Sequence, residues 1–355
     1  MTDSIGVGII GASPGPASWA ANAHVPAVAA VDGVHLRAVA TSKRASADAA
    51  EAAYGVRAYD QASSLIADPA VDVVVVAVNV GSHKELITEA IAAGKIVYSE
   101  WPLAVTTDDA RFLAAAAQVA GVRTVVGLQS RYSPAISRLR ELVVAETFGR
   151  VMGTSLIGSG MAWGPTTDTA HRYMFDKASG ANTLTVPTAH ALDALMSVLG
   201  DIDSIRGEMA IGSDTVHVID DDTTHPVTAP DQVALSLKLK SGAVGSVFYR
   251  GGLSRAGNLR WEINGYAADA LLTTPTPNGN IQATELSLAI GDGEASSVAL
   301  VDVAVPSELE SLPVPARALA GLYTALVSDL ANGTSDVPDF EYAVRLHELL
   351  DQIEP

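Results

Sequence analysis

Over the first third of the chain, blocks of consecutive apolar residues alternate with stretches of helical periodicity. The apolar blocks are IGVGIIG (5–11), VHLRAVAT (34–41), VDVVVVAVN (71–79), KIVYSE (95–100) and RTVVGLQ (123–129). Between them lie HVPAVAAV, SADAAEAAYG, SHKELITEAIAAG and TTDDARFLAAAAQVAG, which are Ala-rich and amphipathic and mostly end in glycine. Near-continuous apolar strands separated by helices predict a parallel sheet covered on both faces. Residues 1–127 are therefore expected to form a doubly wound α/β domain.

The pattern changes after about residue 128. SRYSPAISRLRELVVAETFG predicts a helix, followed by longer alternating segments: VMGTSLIGSG, SIRGEMAIG, QVALSLKLKSGAVGSVFYRGG, LRWEINGYAADALLTT and IQATELSLAI. Period-two alternation with glycine-bearing turns predicts a large open, mainly antiparallel sheet with one face toward water. TVPTAHALDALMSVLG (185–200) is expected to be one helix within this half, and the polar stretch 212–231 a surface loop. Two closing helices are expected from ALAGLYTALVSDLANG and DFEYAVRLHELLDQIEP, packing back. Residues 128–355 are thus expected to be an α/β substrate and oligomerisation domain.

Composition narrows the function classes. At 355 residues the chain exceeds one ordinary core. It has no cysteine, which removes disulfides and thiolate metal sites, and a formal charge of −18, which disfavours phosphate backbones. No run reaches the roughly 18 apolar residues of a membrane span, and no leader-like segment precedes the first strand. The expectation is a cytoplasmic protein with no nucleic-acid or membrane partner. His217 and His225 lie in an acidic stretch, HVIDDDTTHP, read as a solvated loop with no metal bound.

The pattern Gly-x-Gly-x-x-Gly falls on Gly6, Gly8 and Gly11, but that register puts two glycines inside the first strand. The dinucleotide fingerprint belongs at the strand-to-helix turn. The better register starts at Gly11, in GASPGPASWAANAH, with Gly11 making the turn and Gly15 opening the backbone to a pyrophosphate. Ser13 and Trp19 flank that turn. The second strand ends in Ser42, Lys43 and Arg44, with no carboxylate for a ribose 2′-hydroxyl. A hydroxyl beside two cations suits a 2′-phosphate, so NADP(H) is expected over NAD(H). Asn79 and His83, after the third apolar block, and Gln129, after the last, are placed where the cofactor would pass.

At Glu100-Trp101-Pro102 the whole chain resembles the glucose–fructose oxidoreductase/inositol dehydrogenase family. That resemblance implies a dinucleotide-binding domain followed by an open-sheet domain, with Glu100, Trp101 and Pro102 at the cofactor. The family pattern there is Glu-Lys-Pro, whose lysine polarises the reacting group; Trp101 replaces it. Downstream the family has Asp-x-x-x-His; His190 matches the acid/base histidine and Asp193 a following carboxylate, but Val186 stands at the aspartate position. SWAANAHVPAV, VNVGSHKEL, EWPLAV and LQSRYSPAISRLREL bring the chain nearest a branch typified by a non-catalytic yeast galactose-regulon repressor.

The reading is a NAD(P)-dependent oxidoreductase acting on a sugar-like, polyol, imine or carbonyl substrate. Its candidate catalytic residues are His190, Trp101, Tyr173 and Asp193, with His171, Arg131, Tyr132 and Arg250 as weaker candidates. The alternative is a non-catalytic dinucleotide sensor or transcriptional co-regulator with a protein partner. The family's open sheets pair face to face, which implies a homo-oligomer, a dimer or tetramer.

Overall fold

The structure is a computed structural model that describes residues 4–160, 162–293, 295 and 297–353. The chain divides into two compact units. One runs to Gln129 and takes in Pro306–His347; the other holds Ser130–Val305 and the segment from Glu348.

In the first unit the strands are β1 (Ile5–Ile10), β2 (Val34–Ala40), β3 (Arg57–Tyr59), β4 (Val73–Val76), β5 (Ile96–Glu100) and β6 (Thr124–Gly127). Helices α1 (Val25–Ala30), α2 (Arg44–Tyr54), α3 (Ala62–Ile66), α4 (His83–Ala92) and α5 (Thr107–Ala120) connect them, with a π-turn, Ala20–His24, leading into α1. The sheet is parallel throughout, in the order β3-β2-β1-β4-β5-β6. The order reverses between β1 and β4, and such a switch point opens a crevice at the strands' carboxyl ends. All four valines of β4 are buried, as a strand covered on both faces requires. β3 and α3 are too short to stand out as periodic segments. The apolar block at 71–79 yields a strand only over Val73–Val76, its last residues turning outward to an exposed Asn79.

The second unit begins with α6 (Pro134–Val144) and β7 (Val151–Gly160), followed by β8 (Thr166–Thr167) and α7 (Ala189–Leu199). β9 (Ile202–Ala210), β10 (Thr215–Val218), β11 (Thr223–Pro226), β12 (Gln232–Leu239) and β13 (Val244–Gly251) come next. β14 (Leu259–Gly265), β15 (Ala268–Thr273), β16 (Ser287–Asp292) and β17 (Ala299–Leu300) complete it. The large sheet has eight strands in the order β17-β16-β15-β14-β7-β13-β12-β9. Its pairs are antiparallel except β7 with β13, so the sheet is mixed and mainly antiparallel.

Three expectations are corrected here. The polar stretch 212–231 is no loop: β10 and β11 form a hairpin that pairs with β8 in a separate three-stranded sheet. Val216 and Val218 alternate with exposed residues and are buried, and the turn closes at Asp222 with φ 55°. The segment 281–290 becomes a strand only from Ser287, because Thr274, Thr276 and Thr284 hydrogen-bond one another and hold the preceding residues as a side-chain-tied loop. The helix expected over 185–200 opens with a π-turn, Leu184–Thr188, that accommodates Pro187 before α7 begins.

Near the C-terminus come α8 (Val314–Asn332) and α9 (Phe340–Asp351). α8 packs on the π-turn and α1 in the first unit. The edge strand β6 is covered by the segment before α9, Val126 N–H donating to the Pro338 carbonyl at 2.8 Å. No helix among the described residues is long and apolar enough to cross a membrane.

Candidate functional site: a dinucleotide turn and a neutralised histidine helix

The turn after β1 shows why the glycines stand where they do. A Cβ on Gly6 would lie 2.0 Å from the Ala70 carbonyl, and one on Gly8 2.8 Å from Leu65 and Val71, so these two are packing glycines within β1. Gly11 has φ +103° and its Cβ would strike the Ala77 carbonyl at 2.2 Å, so the chain can turn there only with glycine. Gly15 has φ +151° and nothing within 4 Å of its Cβ position. Backbone is thereby left open in a cradle that a side chain would fill.

A residue the motif search missed organises this loop. Asn22 Nδ2 donates to the carbonyls of Gly15, Pro16 and Ser18 at 3.1, 3.0 and 2.8 Å. The indole Nε1 of Trp19, just after this loop, is buried without a partner, and Gln129, after β6, is wholly buried with neither amide atom hydrogen-bonded. A buried unmet polar atom typically costs about 1–3 kcal/mol, so these mark positions where a bound group would be stabilising. Ser13 is half-buried in the same turn, and Ser42, Lys43 and Arg44 are exposed at the end of β2. Arg44 also pairs with Asp48 at 2.6 Å, a solvated contact that leaves its guanidinium at the surface.

Three expected cofactor contacts have other partners. His83 is buried; Nε2 lies 3.0 Å from the Val78 carbonyl, and Nδ1 lies 3.3 Å from both the Leu103 carbonyl and Ser99 Oγ. Burial pushes its pKa down, so it is a neutral structural imidazole that ties the start of α4 to the segment after β5. Glu100 Oε1 lies 2.9 Å from His24 Nε2, and His24 Nδ1 lies 2.8 Å from the Tyr323 hydroxyl. Tyr98 stacks on Tyr323 at 5.6 Å. Burial, helped by Glu100, raises the Tyr323 pKa well above a free phenol's and keeps it protonated. Glu100 thus anchors the π-turn and α8 to the end of β5. Trp101, joined to Pro102 by a cis peptide, is only 5% exposed and packs on His347 with ring centroids 4.7 Å apart. Trp101 is thus part of the buried core.

In the second unit, His190 and Asp193 stand one turn apart on α7, both buried. Asp193 is gripped by Arg131, whose Nε lies 3.2 Å from Oδ2 and whose Nη2 contacts Oδ1. His190 is 3% exposed, and its Nδ1 has no hydrogen-bond partner. Desolvation lowers its pKa to about 3. In this environment the imidazole is uncharged in the neutral range.

Val186 is accounted for by its packing. It packs against a small aromatic core of Trp163, Phe175 and Val216. Trp163 adopts φ 58° there, with its indole N–H donating to the Met174 carbonyl at 3.1 Å. Tyr173 lies beside this core in a short 3-10 turn, Arg172–Phe175, half-buried, and burial raises its pKa, so it stays a neutral phenol. Tyr132 is half-buried in the 3-10 turn Gln129–Tyr132. His171 pairs with Asp168 at 2.7 Å, and Arg250 donates to the Gly251 and Leu253 carbonyls at 3.0 and 2.6 Å, a loop clasp. His217 and His225 sit on the hairpin, and no cluster of three metal-binding side chains occurs among the described residues.

A parallel sheet with this strand order, a glycine turn at its switch point and an open-sheet second unit define a Rossmann-type dinucleotide-binding oxidoreductase architecture. Residues 5–128 match the oxidoreductase family with NAD-binding Rossmann fold, and residues 134–274 match the C-terminal domain of Gal80p. The two matched segments make the chain similar to glucose–fructose oxidoreductase/inositol dehydrogenase-type oxidoreductases in its first part and to Gal80p in its second.

Among its relatives is dehydrogenase aclE of Aspergillus oryzae, 33% identical over 224 residues, or 59% of either chain. Another is the galactose/lactose metabolism regulatory protein GAL80 of Saccharomyces cerevisiae, 25% identical over 55% of this chain and 48% of that one. The match thus spans about half to three-fifths of the length of these curated relatives. In fold, a super-repressor mutant of Gal80p from Saccharomyces cerevisiae superposes with TM-score 0.86 at 22% identity, covering 98% of this chain and 94% of that one. Levoglucosan dehydrogenase in complex with NADH and levoglucosan gives 0.81 at 20% identity, covering 98% and 96%.

Proposed function

We propose that the chain binds a nicotinamide dinucleotide at the Gly11–Ser18 turn and is an oxidoreductase whose hydride chemistry runs without the family's lysine–histidine proton relay. The observation that carries this is the turn itself: a positive-φ Gly11 that no side chain fits, at the sheet's switch point, an open Gly15 and an unmet polar atom on Trp19, with a second unmet group on Gln129 after β6. Gly11, Ser13, Gly15 and Trp19 would hold the pyrophosphate, and Asn79 would reach the ribose. Ser42 and Lys43 support NADP(H) over NAD(H), because no carboxylate ends β2 to repel a 2′-phosphate.

A bound nicotinamide supplies or accepts the hydride; the chain must manage the accompanying proton. Oxidising a sugar or polyol hydroxyl needs a base, and reducing a carbonyl needs a donor. Here Trp101 has no charge and the lowered pKa makes the His190 imidazole a weak proton acceptor, so a hydroxyl substrate is poorly served. Losing one preorganised donor typically lowers the rate by about 10²–10³. An imine protonated in water arrives already electrophilic, and needs only hydride and a dry surface. Among sugar-like, polyol, imine and carbonyl compounds, imines and activated carbonyls therefore fit best. Tyr173, a neutral phenol, is the remaining proton donor.

A non-catalytic sensor with a regulatory protein partner is the second reading, favoured by the neutral His190 and the buried Trp101. Following absorbance of NADPH against a panel of imines, carbonyls, sugars and polyols separates the two. Consumption with an imine or carbonyl supports the enzyme, and tight binding with no turnover across the panel supports the sensor.

Self-association is proposed on the outer face of the eight-stranded sheet. Its register aligns Glu208, Ala234, Phe248, Ile157 and Arg260 in one row and Arg206, Ser236, Ser246, Ser155 and Glu262 in the next. Small residues at the centre leave Ile157 (51% exposed) and Phe248 (37%) accessible, with both charge signs at either end. That arrangement is complementary to itself under a two-fold axis. Light scattering should give a dimer or tetramer; a monomer at micromolar concentration would contradict it.

A further inference from the structure

We infer that Asn22 is the positioning residue of the phosphate loop, setting affinity for the pyrophosphate of a dinucleotide without touching it; this rests on the dinucleotide reading above. One side-chain nitrogen holds three carbonyls, those of Gly15, Pro16 and Ser18, within 3.1 Å. An amide oxygen in that place would face three acceptors, so the orientation of the Asn22 amide is fixed by chemistry. Ser18 Oγ accepts from Ala21 N–H at 3.2 Å, and Ser18 N–H donates to the Gly15 carbonyl at 3.2 Å.

The consequence follows from peptide geometry. Carbonyl and N–H point in opposite directions across a trans peptide plane. Fixing the Pro16 carbonyl on Asn22 therefore turns the Ala17 N–H away from Asn22, and fixing that of Ser18 does the same for the Trp19 N–H. Anions are held by such outward backbone N–H groups, and a loop that keeps its carbonyls turned in does not present them to a phosphate. Without the Asn22 side chain the Pro16 carbonyl loses its donor, and those of Gly15 and Ser18 keep one backbone donor each, from Ser18 and Asn22 N–H, so a loop containing Gly15 and two prolines is free to turn the Pro16 carbonyl toward the ligand. The ordering would then be lost from the binding free energy.

Because Asn22 is exposed, replacing it leaves the core intact. Three variants of the full chain are informative: Asn22→Ala removes the donors, Asn22→Asp replaces them with acceptors, and Asn22→Gln keeps the two amide donors on a longer, uncharged stem. Calorimetry with ADP-ribose should show affinity falling about tenfold or more in Asn22→Ala, further in Asn22→Asp, and partly recovering in Asn22→Gln. AMP, which lacks the pyrophosphate, should lose much less. In the ligand-free protein, amide exchange at Ser18 and Asn22 should quicken in Asn22→Ala while the melting temperature holds. ADP-ribose binding in Asn22→Ala within twofold of the parent would overturn the inference and leave the dinucleotide reading standing. Failure of the parent protein to bind ADP-ribose or NAD(P)H would instead overturn that reading.

Discussion

Acid should destabilise this protein through His190 in a calculable way. The side chain is neutral in the fold because burial lowers its pKa from 6.5 to about 3. The unfolded chain takes up this proton as the pH falls through 6.5, and the native state does not until about 3, so stability is fully present above 6.5 and lost progressively below it. The whole interval corresponds to about 5 kcal/mol at saturation, of which about 2 kcal/mol is expressed by pH 5. Urea unfolding of the parent and of His190→Gln at about pH 8 and pH 5 isolates the effect, since His83 and the other histidines are common to both. The parent should lose about 2 kcal/mol more than the variant between the two conditions. Equal losses, or an imidazole resonance of His190 titrating near neutrality, would refute the reasoning and restore it as an acid/base candidate.

Other perturbations have defined outcomes. Val186→Asp, which rebuilds the family's aspartate, should fail to restore sugar oxidation and should destabilise the fold by about 2–4 kcal/mol in a melt, because the carboxylate would meet Trp163, Phe175 and Val216. Gly11→Ala should lower stability by about 2–4 kcal/mol and abolish dinucleotide binding by calorimetry, given its φ of +103° and the 2.2 Å approach to Ala77. Tyr323→Phe should cost about 1–2 kcal/mol by denaturant unfolding, since it removes the hydroxyl 2.8 Å from His24 Nδ1.

Much of the first unit was legible because its signals are local. Val73–Val76 announces a strand buried on both faces, and Gly11 announces a turn that no other residue can make. The second sheet was legible from alternation, as in QVALSLKL. The hairpin at 215–226 was hidden because Val216 and Val218 are a weak alternating pair inside an acidic run. Site chemistry was less legible, since it depends on partners distant in sequence: His24 meets Tyr323 across 299 positions, and Arg131 meets Asp193 across 62. Composition cannot report that such contacts occupy Glu100 or that desolvation lowers the pKa of His190. Asn22 was local but belongs to no glycine motif, so its grip on the loop emerged only with the backbone.

The central claim is that the Gly11–Ser18 turn binds a nicotinamide dinucleotide. Calorimetric titration of the full chain with NADPH and NADH tests it most directly. The account predicts saturable one-to-one binding of both, tighter for NADPH, and abolished by Gly11→Ala; no binding of either, or binding unchanged in Gly11→Ala, would contradict it.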